Sequence, residues 1–297
     1  MWVRVLGAAA GGGFPQWNCG CPQCRAAREG SRPCYSRTQS SVAVSADYRR
    51  WFVLNASPDI RSQIESFPAL HPRGLRESPV QAVLLTDAEL DHTLGLLLLR
   101  EADRLEVHAT GAVRETLSRG TSLLPTLDAY TNVEWRTVVT GTEVSLADGL
   151  SYRAFDAPTN KQARFGAGES AESVVGYRIT DDSTGRVLVY LPGAQELTAA
   201  VLAQLEGCSC LLFDGTCWQD DELRRLGVGG KTARDMGHLP ISGADGSLKQ
   251  LAPLSIERKI YVHINNTNPI LLEDSSERRA VEEQGFVVAD DGLELEI

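Results

Sequence analysis

Val83-Leu84-Leu85 reads as the end of a buried strand, and directly after it four ionisable side chains, Asp87, Glu89, Asp91 and His92, stand within the six positions 87 to 92. Few chains place so much charge at the end of an apolar strand, because an uncompensated buried charge is costly and needs a cation or matched partners. An acidic start to the helix expected over Leu94 to Ala102 would use one carboxylate, since anions favour helix N-termini. It would leave His92 unexplained. Neighbouring residues such as Asp91 and His92 diverge on a regular helix or strand, so they can share one ion only where the backbone turns. A strand-to-helix junction is such a turn.

The rest of the chain fits a fold built around junctions of this kind. Apolar or alternating runs predict strands at Val3 to Leu6, Ser41 to Ser45, Trp51 to Leu54, Val80 to Leu85, Leu105 to Ala109, Val133 to Val139, Leu150 to Phe155, Val174 to Thr180, Val187 to Leu191, Cys210 to Phe213, Lys259 to Ile264 and Phe286 to Ala289. Helices are expected at Leu94 to Ala102, Glu196 to Leu205, Asp220 to Leu226 and Ser275 to Gln284, and a short one opens at Ser57-Pro58-Asp59, with Ser57 at the N-cap. Strand clusters followed by strand–helix alternation imply two sheets packed face to face with helices on the outer faces, a four-layer αββα sandwich of α/β class. No repeat or proline-rich linker interrupts the sequence, so 1–297 is read as one domain.

Charge excludes one class of partner. With 29 Lys and Arg against 39 Asp and Glu the net charge is −10, and such a surface repels nucleic acid. The start Met1-Trp2-Val3-Arg4-Val5-Leu6-Gly7 lacks a secretory signal's apolar stretch, and the longest apolar run, Leu94 to Leu99, falls far short of the roughly 20 residues of a membrane span. The expectation is a soluble, cytoplasmic protein without a membrane partner.

Two loops carry further signals. Gly7-Ala8-Ala9-Ala10-Gly11-Gly12-Gly13 follows the first strand but lacks the G-x-G-x-x-G spacing and runs into Phe14-Pro15, so it is read as a hinge where chain approaches chain. Cys19-x-Cys21-x-x-Cys24 is too tight for a disulfide framework, and three close thiolates favour a structural Zn²⁺ in a loop of about residues 18–25. Cys34 or Asn266 could supply the fourth ligand. Cys208, Cys210 and Cys217 flank a buried strand and are expected in the core.

Asp214 ends another buried strand, where a metal-bridging carboxylate and a turn or cap role compete. His263 ends a third; on the strand face of Tyr261 it reads, taken alone, as a core histidine. His238, between Gly237 and Leu239-Pro240, suits proton transfer near neutral pH, against the reading of an ordinary loop residue. His71 and His108, the latter on an outward strand position, are assigned to structure.

The segment D-x-E-x-D-H at 87–92 resembles the H-x-H-x-D-H signature of the metallo-β-lactamase superfamily. The resemblance implies that Asp91, His92 and a late histidine, His263, hold a metal, while Asp87 and Glu89 replace the histidines of the first metal site. No histidine lies between His108 and His238, so that site's mid-chain ligand is missing too. Two imidazoles and one carboxylate remain, the donor set of non-haem Fe(II) oxygenases. Asp87, Glu89 and Asp214 are then expected to orient the ligands.

A narrower resemblance rests on Gly11-Gly12-Gly13-Phe14-Pro15-Gln16-Trp17-Asn18-Cys19, Arg37-Thr38-Gln39-Ser40-Ser41, Leu54-Asn55-Ala56-Ser57-Pro58-Asp59-Ile60-Arg61, Phe213-Asp214-Gly215-Thr216 and His263-Ile264-Asn265-Asn266-Thr267-Asn268-Pro269. Together these resemble the PQQ biosynthesis protein B family. The resemblance implies an Fe(II)- and O₂-dependent hydroxylase of the tyrosine ring in a cross-linked glutamate–tyrosine diamino acid, on the way to pyrroloquinoline quinone. Asp91, His92 and His263 would hold iron, and His238 and Asp87 would move protons. Lys231 and Arg234 would bind the small polycarboxylate substrate. Partners implied are O₂ and that substrate, other enzymes of PQQ synthesis, and a second copy in a homodimer. A zinc-dependent hydrolase, and a carrier moving PQQ or its precursor towards the periplasm, are the competing readings.

Overall fold

The computed structural model describes residues 1–161, 164–165 and 172–297. Its strands are β1 (Trp2–Gly7), β2 (Ser41–Ser45), β3 (Trp51–Leu54), β4 (Val80–Leu84), β5 (Arg104–Thr110), β6 (Asn132–Val138), β7 (Glu143–Ser145), β8 (Leu150–Asp156), β9 (Val175–Asp181), β10 (Val187–Leu191), β11 (Cys210–Asp214), β12 (Arg258–Val262), β13 (Phe286–Val288) and β14 (Glu294–Glu296). They form two seven-stranded sheets, ordered β14-β1-β2-β3-β4-β5-β6 and β13-β12-β11-β10-β9-β8-β7.

Strand alternation sorts the side chains into three apolar layers. In β10, Leu188 and Tyr190 point between the sheets to meet Val42, Val44, Phe52 and Leu84, and Val187, Val189 and Leu191 point outward to meet Val201, Leu205 and Leu251. On the far side, Val53, Val83 and Val107 pack beneath Ile60, Leu96, Leu117 and Leu127. Helix layer, sheet, sheet, helix layer is the αββα sandwich expected from the sequence. No helix of the described residues is long and apolar enough to cross a membrane.

Strands β3 to β6 run parallel, as do β10 to β13. Parallel strands leave their C-terminal ends on one edge, where an α/β sheet collects its ligands. The ends of β4, β11 and β12 carry residues 85–92, Asp214 and His263 to that edge.

Several local expectations shift. The helix opened by Ser57-Pro58-Asp59 is α2 (Ile60–Glu65), capped at Asp59; Ser57 instead accepts a hydrogen bond from Asp59 N–H through its hydroxyl. The segment 94–102 is not an α-helix. A single turn, α3 (Leu90–Thr93), passes into a 3₁₀ stretch Leu94–Leu99, because Gly95 is wedged against Ala56 and Ser57 and donates to the Ala56 carbonyl. Here α1 is the helix Pro22–Glu29, which the sequence reading did not include. His108 is buried rather than outward, bonded to the Tyr152 hydroxyl at 2.8 Å and to Glu106 at 2.9 Å.

The candidate metal centre

The turn after β4 builds one half of the site. Asp87 accepts the Glu89 N–H on Oδ1 and, on Oδ2, the Thr86 hydroxyl at 2.8 Å and His92 Nδ1 at 2.7 Å. Asn55 holds Thr86 in turn, its Oδ1 accepting Thr86 N–H and its Nδ2 donating to the Thr86 hydroxyl, both at 2.9 Å. With Nδ1 committed to Asp87, His92 turns Nε2 into the site, and that buried nitrogen has no hydrogen-bond partner. Burial opposes charge on His92, but Asp87 and Asp91 outweigh it and raise its pKa to about 9. Burial likewise opposes ionisation of Asp91, and the imidazoles of His92 and His263 overcome it and hold the carboxyl well below its usual range.

The other half comes from β12. The strand ends at Val262, and His263 adopts φ +55°, a left-handed conformation that a β-substituted residue occupies only when its surroundings impose it. Ile264 N–H bonds to Ala8 O and its carbonyl accepts Ala10 N–H, pinning the turn. His263 therefore leaves the face of Tyr261, and the core-histidine reading fails. Its Nε2 lies 3.3 Å from Asp91 Oδ2, and its Nδ1 is held at 2.8 Å by the Thr216 hydroxyl.

One ligand atom each from Asp91, His92 and His263 lie within 4.8 Å of one another. An orphaned Nε2, a second imidazole and a carboxylate oxygen converging so closely fit a divalent ion. Gly11 permits the arrangement: a Cβ there would lie 3.2 Å from Asp91 Oδ2. The glycine loop is thus a close approach of chain to chain, as the sequence suggested.

Asp214, His238 and His263 form a second close group, but it is closed by its own hydrogen bonds. Asp214 Oδ2 takes His238 Nδ1 at 2.6 Å and the Ala194 N–H at 3.1 Å, and Oδ1 takes the Thr216 N–H and hydroxyl. Asp214 is fully buried, and although burial opposes its charge, His238 holds its pKa below the usual range. It orients His238 directly and His263 through Thr216.

The centre opens into a cavity of about 690 Å³ lined by Gly11, Asp91, His92, His238, His263 and Asn265, with Lys161, Arg164 and Lys231 among its cations. Two sequence expectations need correction here. Glu89 does not orient a ligand: its carboxylate pairs with Lys161 at 2.7 Å and Arg164 at 3.4 Å. Arg234 does not line the cavity, because its guanidinium is bonded to Asp245 at 2.6 Å and to the Gln195 carbonyl. Lys161 and Arg164 were not singled out from the sequence; the region around them has no period, and only its basic residues facing an acidic turn could have pointed to them.

The thiols of Cys19 and Cys21, in the loop, and of Cys24, in the first turn of α1 rather than in the loop expected from the sequence, also come within 4.8 Å of one another, a group that does not include Cys34. Asn266 Nδ2 sits 3.4 Å from Cys24 Sγ and 3.7 Å from Cys21 Sγ. The two ends of an amide are assigned by the bonds they make, and turned over it presents Oδ1 to the same point. Three sulfurs and one oxygen fit a tetrahedral Zn²⁺. Burial pushes the Cys21 thiol up to about 12 when no cation is present to offset it.

The fold is that of the metallo-β-lactamases, with a donor group that fits a metal ion, and the beta-lactamase superfamily domain model matches residues 50–264. The relatives narrow this. Coenzyme PQQ synthesis protein B of Methylococcus capsulatus is 47% identical over 304 residues, covering 99% of both chains, and that of Ruegeria pomeroyi is 47% identical over 302 residues. The Zn(2+)-bound PqqB crystal structure from Methylobacterium extorquens superposes with a TM-score of 0.93 at 44% identity, covering both chains fully. The chain belongs to the coenzyme PQQ synthesis protein B family. A diphosphatase of the PhnP family, with a TM-score of 0.70 at 21% identity, shares the fold.

Proposed function

We propose that the protein acts in the synthesis of pyrroloquinoline quinone, as an Fe(II)- and O₂-dependent hydroxylase of the tyrosine ring in a cross-linked glutamate–tyrosine diamino acid. The observation that carries the reading is the convergence of Asp91, His92 and His263 on one point with a cavity of about 690 Å³ on its open side. Two imidazoles and a carboxylate on one face leave positions for substrate and O₂. Family membership supports the pathway. A hydrolase with two metals is disfavoured because Asp87 and Glu89 are engaged elsewhere and Asp214 is bonded to His238.

Asp91, His92 and His263 would hold the ion, and when bound it supplies the activation of O₂. Asp87 and Thr216 fix the two imidazoles through their Nδ1 atoms, so each presents Nε2. His238, its Nδ1 on Asp214, offers its other ring nitrogen to take or return a ring proton. Val174 lines the cavity beside these polar groups and would offer an apolar contact to the ring.

The test is O₂ consumption by anaerobically purified, Fe(II)-loaded protein on addition of the cross-linked diamino acid. The reading requires uptake that depends on that compound and on iron, and that is lost in His263→Ala. Turnover with zinc alone and no O₂ would overturn it in favour of the hydrolase, and tight product binding without any metal dependence would favour the carrier.

A further inference from the structure

Glu89 lies two residues from the ligand Asp91, yet its carboxylate pairs with two cations that line the same cavity. Lys161 Nζ meets Oε1 at 2.7 Å and Arg164 Nε meets Oε2 at 3.4 Å, so each oxygen has its own cation. This is how a bound carboxylate is held, and here the chain provides the carboxylate itself. We propose that Lys161 is the residue that receives a carboxylate of the substrate, and that Glu89 occupies its place until substrate arrives. The proposal rests on the reading above that the substrate is a polycarboxylate.

Lys161 is built into the site. Its stem crosses Gly237, where a Cβ would come within 3.2 Å of Lys161 Cδ, so the ammonium is guided past the residue preceding His238. Gly237 has φ +90°, a conformation that already selects glycine and leaves the passage open. On its N-terminal side the backbone is anchored: Lys161 N–H bonds to the Thr159 hydroxyl at 3.1 Å and Asn160 N–H to Gln195 Oε1 at 2.6 Å.

Glu89 is built to let go. Its backbone carries the local structure, N–H donating to Asp87 and carbonyl accepting from His92 N–H and the Thr93 hydroxyl, whereas its carboxylate is bonded to Lys161 and Arg164 and not to a metal ligand. The side chains of Lys161 and Glu89 are 20% and 33% exposed, and ion pairs at such partly solvated positions contribute little. Exchanging one carboxylate for another on Lys161 is then nearly neutral, and a substrate with further anchoring groups prevails. A monoanion gains too little to displace Glu89, which would select for polycarboxylates in a chain whose net charge is −10.

The test is a titration of metal-loaded protein with pyrroloquinoline quinone, which has three carboxylates, and in parallel with benzene-1,3,5-tricarboxylate, for wild type, Lys161→Gln, Lys161→Arg, Glu89→Gln and the double variant Glu89→Gln with Lys161→Gln. Metal content and melting temperature are followed in each. We expect Lys161→Gln to weaken both probes about tenfold, Lys161→Arg to restore most of the loss, and Glu89→Gln to tighten both about threefold, an effect absent from the double variant. If Glu89→Gln weakens binding or leaves it unchanged at equal metal content, or if its effect survives without Lys161, the proposal is overturned. Wild-type protein that binds the tricarboxylate with this pattern but not the quinone would sink the functional reading and leave the Glu89 exchange standing. Quinone binding indifferent to both variants would do the reverse.

Discussion

His263 Nε2 lies 3.3 Å from Asp91 Oδ2, across 172 positions of sequence. Neither residue reaches the other by continuing a regular element. Asp91 sits in the single turn α3 after β4, and His263 leaves β12 through a left-handed φ of +55°. The centre exists because two parallel strands, one from each sheet, end on the same edge of the sandwich.

Asp87 is the support that can be altered without removing a ligand itself. It holds His92 Nδ1 at 2.7 Å, and an amide in its place would offer only one acceptor for Thr86, His92 and Glu89 N–H together. Asp87→Asn is expected to lower affinity for a divalent ion at this centre about 10- to 100-fold, against a larger loss for Asp91→Asn. Competition with a chromophoric chelator measures both, and equal affinity in Asp87→Asn and wild type would contradict the role.

Two glycines should separate stability from metal binding. A Cβ on Gly95 would stand 2.2 Å from Ser57 O and 2.7 Å from Ala56 O, backbone atoms that cannot step aside, so Gly95→Ala is expected to cost about 3 kcal/mol or more. At Gly11 the nearest atoms to such a Cβ belong to the Asp91 side chain, Oδ2 at 3.2 Å. Gly11→Ala should leave the urea midpoint nearly unchanged while weakening the ion about tenfold, by displacing one ligand oxygen. Urea unfolding and metal titration on the two variants give the contrast, and the reverse pattern would refute it.

Much of this was legible in the sequence because it depends on local pattern. The apolar runs that end on Asp or Gly gave most of the strands, and the spacings D-x-E-x-D-H and C-x-C-x-x-C marked the two donor groups. What was not legible depends on tertiary placement. The direction of Glu89 is set by Lys161, 72 positions on, in a segment without period. Arg234 is paired with Asp245, a partner supplied by the fold and not by the pattern of its own loop. The left-handed turn at His263 is imposed by Ala8 and Ala10, which no pattern in 258–264 reveals. The short strands β7 (Glu-Val-Ser) and β14 (Glu-Leu-Glu) escape because each offers a single apolar residue, unlike the equally short β13 (Phe-Val-Val), and β14 pairs with β1 from the far end of the chain.

The zinc loop makes an independent claim. Cys21 caps α1, its sulfur accepting from Cys24 N–H at 3.5 Å, and Asn266 reaches the same sulfurs from the segment that begins at His263. Cys24→Ser is expected to lose about one zinc per chain by plasma emission, because Zn²⁺ binds thiolate far better than hydroxyl. The loop 16–24 should then be cut by protease while the two sheets stay folded. Retention of a full zinc complement would exclude these thiols as its ligands.

The last expectation concerns pH. Glu222 is buried under Trp218 N–H at 2.6 Å and the Thr267 hydroxyl at 2.5 Å, and burial outweighs these bonds, raising its pKa from 4.5 to about 7. The folded state therefore holds a proton on Glu222 that the unfolded chain has released. That contribution to stability is complete below the unfolded value and is lost as pH rises through about 7. Wild-type protein should unfold at lower urea at pH 8 than at pH 5, with Glu222 contributing about 2 kcal/mol of the difference. In Glu222→Gln the side chain cannot ionise, so the same comparison should flatten by about that amount while the pH 5 midpoint moves less. A pH dependence identical in the two proteins would show that Glu222 is charged in the native fold, the Trp218 N–H on one oxygen and the Thr267 hydroxyl on the other sufficing to offset burial.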